Sequence, residues 1–295
     1  MFTREDARYR DIEMTLASHS YRGRSIGSQA TNHQFPGHDV CFDIGQATLS
    51  STTIGNVFVT HGHDDHIGGL GSHHLRRNGW GLDPARYYVQ EDDVPLIKAV
   101  VAAQCHLNRS KALANVDIVP VGEGSEFPVG KAGLVVRPFR ATHKIPCLGY
   151  ALWGKRRRLR AEFKGASKEV IIAAKARGED INEEFEVPEV AFPGDTNLNL
   201  LNRPSGEVVR KARVLLLECT FIDDEVSPKE TFRTGHVHLE DFINAARDGA
   251  FENEVILLTH FSARYHPTYI RDTVEKRLRN EDIWPRVRLL LPDTK

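Results

Sequence analysis

Between His61 and His66, in the run Thr60-His61-Gly62-His63-Asp64-Asp65-His66, stand three imidazoles and two carboxylates, directly after the apolar run Val57-Phe58-Val59. A strand that ends in a tight, glycine-containing loop aims such groups at one point instead of spreading them over a surface. Neutral imidazole suits zinc, and a carboxylate that is both ligand and hydrogen-bond acceptor suits a metal holding a hydroxide. The H-x-H-x-D-H spacing is specific enough to set the run apart from a solvated, histidine-rich loop.

The elements that must position these groups show as short β-rich runs. They are Val40–Ile44, Val57–Val59, Tyr87–Val89, Val116–Val119, Leu134–Val136, Val190–Phe192, Val214–Leu217, Val255–Leu258 and Val287–Leu291. Helical periodicity predicts Val94–Cys105, Lys168–Ala176, Leu239–Arg247 and Tyr269–Arg279. No linker, low-complexity tract or short repeat divides the chain, which favours one α/β domain over residues 1–295, built of two sheets flanked by helices. Five of the expected strands deliver an acid or imidazole at the C-terminal end: His61, His143, Asp195, Glu218 and His260. Strand ends hold ligands well because the packing around them fixes their rotamers.

Seven ligands can be counted: His61, His63, Asp65, His66, His143, Asp195 and His260. An arrangement that fits puts His61, His63 and His143 on one metal and Asp65, His66 and His260 on a second, with Asp195 and a water bridging. Two dications about 4 Å apart repel, so a bridging carboxylate and hydroxide are needed to offset their charge. Two Zn2+ per chain are expected, although His and Asp also suit Mn2+ or Fe2+.

At this point the residues resemble a known family. The H-x-H-x-D-H run, the later lone His143, Asp195 in Gly194-Asp195-Thr196 and His260 look like the metallo-β-lactamase fold, a four-layer αβ/βα sandwich. Four further stretches resemble ribonuclease Z in its short form, over most of the chain from Ser25 to Tyr265. These are Ala141–Tyr150, Leu217-Glu218-Cys219-Thr220-Phe221, Gly235-His236-Val237-His238-Leu239 and Thr259-His260-Phe261-Ser262-Ala263-Arg264-Tyr265. Pro188–Phe192 looks most like the plant-type enzymes. The resemblance implies an endonuclease that removes the 3′ trailer of precursor tRNA, as a homodimer. It makes Asp65 a ligand and general base, His236 the acid that protonates the leaving 3′-oxygen, and Glu218 the group that orients His236. A proton donor with pKa near 7 suits an alkoxide leaving group.

The basic run Lys155-Arg156-Arg157-Arg158-Leu159-Arg160 falls where ribonuclease Z carries a substrate-gripping arm, here an insertion over about residues 154–187 that reads as a short hairpin. Lys155, Arg156, Arg157 and Arg158 are thus candidate tRNA contacts, and Arg264 a candidate phosphate contact or carboxylate clamp. His238 reads as a helix cap or core residue, and His73 and His74 as surface groups or groups behind the ligands. His19, His33, His38, His106 and His266 carry no partner signal.

Composition bounds the rest. A net charge of −1 excludes a general polyanion binder, so any nucleic acid must be held by a local patch. No apolar stretch approaches the roughly 20 residues of a membrane span. Met1–Asp6 lacks the order of a secretory signal, and the four scattered cysteines read as reduced thiols of a cytoplasmic protein. The competing readings are a dinuclear hydrolase or phosphodiesterase acting on a small molecule, and a redox di-iron or catalytically silent protein of the same fold. The complete ligand set argues against a silent protein.

Overall fold

Val57, Phe58 and Val59 send successive side chains to opposite faces, and both faces are buried. Phe58 joins one apolar core, while Val57 and Val59 join another. The same alternation recurs at Leu215, Leu216 and Leu217 and at Ile256, Leu257 and Leu258. Strands buried on both faces require layers on both sides, which is why the chain builds two sheets with helices outside each. The structure, a computed structural model, describes residues 10–112, 116–130 and 133–292. The N-terminal run Met1–Asp6 lies outside them.

The first sheet runs β1 (Ile12–Leu16), β2 (His19–Gly27), β3 (Ala30–Phe35), β4 (Val40–Phe42), β5 (Asn56–Phe58), β6 (Arg86–Gln90) and β7 (Asp117–Val121). The second contains β8 (Phe127–Val129), β9 (Leu134–Arg140), β10 (Leu148–Leu159), β11 (Asn182–Phe192), β12 (Val214–Glu218), β13 (Val255–Thr259) and β15 (Val287–Leu289), while β14 (Phe261–Ser262) returns to the first sheet beside β2. Between the sheets lie Phe35, Phe42, Phe58, Tyr150, Leu152 and Phe192, all at most 2% exposed. Each side chain so enclosed contributes roughly 1.5–3 kcal/mol.

Eight α-helices are present among the described residues: α1 (Asp64–Ile67), α2 (Leu70–Gly79), α3 (Val94–Leu107), α4 (Lys168–Ala176), α5 (Gly206–Lys211), α6 (Pro228–Thr234), α7 (Leu239–Arg247) and α8 (Pro267–Leu278). Outside the first sheet α3 buries Ile97, Val101 and Cys105, one helical face. Outside the second, α7 buries Leu239, Phe242 and Ile243, and α8 buries Ile270, Val274 and Leu278.

The expected helices α4 and α7 have the bounds the periodicity gives. Strands β1, β2 and β3 escape it. In β3 the side chains of Thr31, Asn32, His33 and Gln34 are buried although polar, so no apolar alternation marks the strand. Gln34 bonds Asn32 and Asp11, and His33 bonds the Tyr21 hydroxyl.

The short hairpin expected after Tyr150 is longer. Strands β10 and β11 pair from Tyr150↔Phe192 to Leu159↔Asn182, whereas β9 follows β10 only to Trp153 and β12 meets β11 only at Val190 and Ala191. Gly154–Leu159 and Asn182–Val187 therefore form a two-stranded ribbon beyond the sheet, with α4 at its tip. A cross-strand charge pair marks the ribbon, Arg158 lying 2.7 Å from Glu183, and Arg137 of β9 reaches Glu186 at 2.7 Å.

Candidate metal centre

Three turns of backbone aim the ligands. After β5, Thr60 and His61 lead into α1, whose first turn carries Asp65 and His66. After β11, Gly194 turns with φ +69°, and a Cβ there would sit 2.8 Å from the Thr60 side chain, so glycine is required. After β13, His260 itself has φ +57° at the point where the chain crosses from the second sheet to the first. A non-glycine residue in that region costs about 1–3 kcal/mol, which the surrounding packing must over-determine.

The seven expected ligands converge. His61 Nε2 lies 2.9 Å from His63 Nδ1 and 3.8 Å from Asp195 Oδ2. The His143 ring centre is 5.1 Å from that of His61 and 5.2 Å from that of His63. On the other side, His66 Nε2 is 3.1 Å from His260 Nε2 and 3.7 Å from Asp65 Oδ2, and His260 Nε2 is 3.2 Å from Asp65 Oδ2. Asp195 Oδ1 sits 3.3 Å from His66 and 3.4 Å from His260, so its two oxygens face different groups.

The donor set fits divalent ions. Tetrahedral zinc with bonds of 2.0–2.1 Å puts neighbouring donors about 3.3 Å apart, close to these separations. Buried His143 Nε2 and Asp195 Oδ1 lack hydrogen-bond partners. Tautomers, assigned from bonding partners, point the same way. His66 donates its Nδ1 proton to Asp43 at 2.7 Å and His260 donates to Thr220 Oγ1 at 3.2 Å. Both Nε2 atoms then present lone pairs to one another, an arrangement a cation between them relieves. Burial opposes charge on His66, yet Asp195 and Asp43 outweigh it and raise the pKa well above the ordinary imidazole value. A proton there meets the same demand for positive charge that a metal would. Burial takes His61 down to about 2, keeping it a neutral donor. Burial pushes Asp65 up, but the His260 hydrogen bond and the charge of His66 leave it below the usual carboxylate range.

Beside this cluster, His236 Nδ1 donates to Glu218 Oε1 at 2.9 Å. Glu218 is buried and further bound by Thr196 N, Thr220 N, Thr220 Oγ1 and Val237 N. Burial alone would lower the pKa of His236; Glu218 and Asp195 reverse this and push it up to about 9. Asp195, His236 and His260 also lie close enough to share an ion, but Nδ1 of His236 is committed to Glu218.

The family model for the β-lactamase superfamily domain matches residues 39–261. tRNase Z TRZ1 of Arabidopsis thaliana is 33% identical over 261 residues, covering 88% of this chain and 91% of its own. The chloroplastic tRNase Z TRZ2 of the same plant is 32% identical over 88% of this chain and 72% of its own. The chain belongs to the β-lactamase superfamily and, within it, to the tRNase Z family. Human short-form tRNase Z, ELAC1, shares the fold at a TM-score of 0.55 and 17% identity, covering 91% of this chain and 94% of its own. Membership makes the chain a metal-dependent hydrolase of the endoribonuclease type.

The remaining expectations divide. His238 caps α7, its Nδ1 accepting from Glu240 N at 3.1 Å. His73 and His74 are not surface groups: both are buried, bonded to Tyr87, Ser51 O and Ala112 O. In the arm, Arg156 pairs with Glu189, Arg157 with Asp180 and Arg158 with Glu183. Arg264 lies over the Phe221 ring and 3.8 Å from Glu225, an exposed ion pair. Asp43, Thr60 and Thr220 join the site without having been expected there. Asp43 follows β4 directly, but the β-rich run Val40–Ile44 encloses it, so the strand-end pattern does not single it out; the threonine hydroxyls carry no sequence signal.

Proposed function

We propose that this enzyme removes the 3′ trailer of precursor tRNA with two Zn2+ per chain. His61, His63 and His143 would hold one ion, Asp65, His66 and His260 the other, and Asp195 would bridge. Bound there, two divalent ions would lower the pKa of a water and polarise the scissile phosphate. Asp65 accepts the proton of the attacking water. His236, its Nδ1 held by Glu218, offers Nε2 as the proton donor to the leaving 3′-oxygen, and its elevated pKa supplies that proton at neutral pH. The pairing of a two-group donor cluster with the hydrogen-bonded His236–Glu218 dyad beside it carries this reading.

The arm supports action as a homodimer. Glu183, opposite Arg158, lies twelve residues before Asp195, about 40 Å along an extended strand, so the ribbon points away from its own metal centre. Lys155, Arg156, Arg157 and Arg158 would then hold the tRNA body for the partner's site, with Arg264 at the rim of its own. Leu96, Val100 and Leu107, 68%, 58% and 82% exposed on α3, offer an apolar stripe for such an association. No helix among the described residues is long and apolar enough to cross a membrane. Four free, buried cysteines favour a reducing compartment, the cytoplasm.

The test is incubation of purified protein with a precursor tRNA and sequencing of the cleaved ends. A single cut at the trailer junction is expected. Hydrolysis of bis(p-nitrophenyl) phosphate with the precursor left intact would instead identify a small-molecule phosphodiesterase.

A further inference from the structure

The basic run of the arm is conspicuous in the sequence, yet its arginines face carboxylates. Among the described residues, the exposed cations near the metal centre without ion-pair or side-chain hydrogen-bond partners are Arg140, Lys144 and Arg203. Arg140 stands three residues before His143 at the end of β9, and Arg203 follows the turn that Asp195 and Asn197 begin.

Both arginines line a groove of about 740 Å3 between the edges of the two sheets. Its base adjoins the ligand loop: Gln90 Nε2 donates to Thr60 O at 3.2 Å and to Pro146 O at 2.9 Å, and Leu148 N donates to Thr60 O at 2.9 Å. Phe139 and Arg140 at the end of β9, and Arg203 in the turn before α5, supply one part of the wall. Glu91 and Asp92 after β6, and Glu123 after β7, supply another. Such a two-sided groove suits a single strand of nucleic acid. Phosphates turn to the guanidinium wall, while base amino groups turn to the carboxylates and a base face can lie on half-buried Phe139.

We propose that this groove binds single-stranded RNA next to the scissile phosphate, Arg140 and Arg203 contacting phosphates. Its place in the reaction rests on the nuclease reading above; its affinity for RNA does not. The groove lies at the ligand-bearing ends of the strands, whereas the arm lies at the other end, so a short oligonucleotide distinguishes them.

The experiment measures binding of fluorescein-labelled hexauridylate to the metal-loaded protein by anisotropy across a salt series, with oligonucleotide integrity checked on a gel. R140Q/R203Q is compared with R247Q/R279Q, which removes equal charge from the C-terminal ends of α7 and α8. For R140Q/R203Q the expected result is affinity at least about fivefold weaker at low salt and a salt slope flatter by about 1.4, or 0.7 for each phosphate no longer neutralised. R247Q/R279Q is expected to bind as the parent does. Parent-like binding by R140Q/R203Q, equal losses in both variants, or a parent that does not bind overturns the groove. Melting temperature and metal content show that each variant is folded. If the parent binds through the groove but leaves precursor tRNA uncut, the nuclease reading fails and the RNA site stands.

Discussion

Asp43 and Glu218 hold the histidines of this site by the same device and to different ends. Asp43 takes the Nδ1 proton of His66 directly and reaches His61 through the Thr60 hydroxyl, which lies 2.9 Å from both partners. Glu218 takes the Nδ1 proton of His236 directly and reaches His260 through Thr220. Each carboxylate therefore fixes two imidazole tautomers through one direct bond and one hydroxyl. The side chain of His66 is fully enclosed among other donors, while that of His236 is 16% exposed at the rim. A fixed Nε2 lone pair among other donors suits a metal ligand; a fixed Nδ1 proton leaves the rim-facing Nε2 of His236 for the acid role proposed above. Identical chemistry behind the ring is given its meaning by what lies in front of it.

The largest effect expected is at the residue both halves share. Asp195→Ala should abolish turnover and lower metal content measured by elemental analysis; full activity with normal stoichiometry would remove the bridging role.

Next, His236→Ala should keep its metals and still bind RNA yet lose about 10²–10⁴-fold in the rate of tRNA cleavage, the usual worth of a general acid. Hydrolysis of bis(p-nitrophenyl) phosphate should suffer far less, since nitrophenolate leaves without a proton. Loss of metal in this variant would make His236 a ligand and erase the contrast with His66. Glu218→Ala should act alike, and the double variant should be far from additive.

The pH profile sharpens the same contrast. His236 is raised to about 9 in the folded enzyme, so its protonated form persists through neutrality and is lost as pH rises through that value. The stabilisation from its pairing with Glu218 has the same sign: complete below the unfolded imidazole pKa of about 6.5, and lost as pH rises through the folded one. In Glu218→Gln the alkaline fall of tRNA cleavage should move to lower pH. An unmoved limb would assign it to another group.

Smaller losses should follow removal of the hydroxyls. Thr220→Val should slow tRNA cleavage by about ten- to hundredfold, the worth of a hydrogen bond to a charged group, and Thr220→Ser should restore it. Thr60→Val should lower metal affinity without favouring either substrate. Equal patterns from both would mean that the two hydroxyls serve ligands alone.

The smallest effect is expected in the arm. R157Q/R158Q should raise the KM for precursor tRNA and flatten its salt dependence by up to about 0.9 for each phosphate no longer neutralised. Stability should barely change, because exposed ion pairs contribute only about 0–1 kcal/mol. Unchanged kinetics across a salt series would remove the arm from tRNA binding.

The cluster of His and Asp side chains, and the strands that end on it, were legible in the chain. His61, His63, Asp65 and His66 are neighbours in sequence, and strand alternation with an acid or imidazole at each end is a local property, readable residue by residue. The buried polar strand Ala30–Phe35 was not legible, because its satisfaction comes from Asp11 and Tyr21, which only folding brings near. Packing settled the rest. It placed Thr60 and Thr220 behind the imidazoles, and it set acids against the arginines of the arm while leaving Arg140 and Arg203 unpaired. A side chain's type is written in the sequence, but whether its charge or proton is free depends on partners distant in the chain, and those are fixed only when the sheets close on one another.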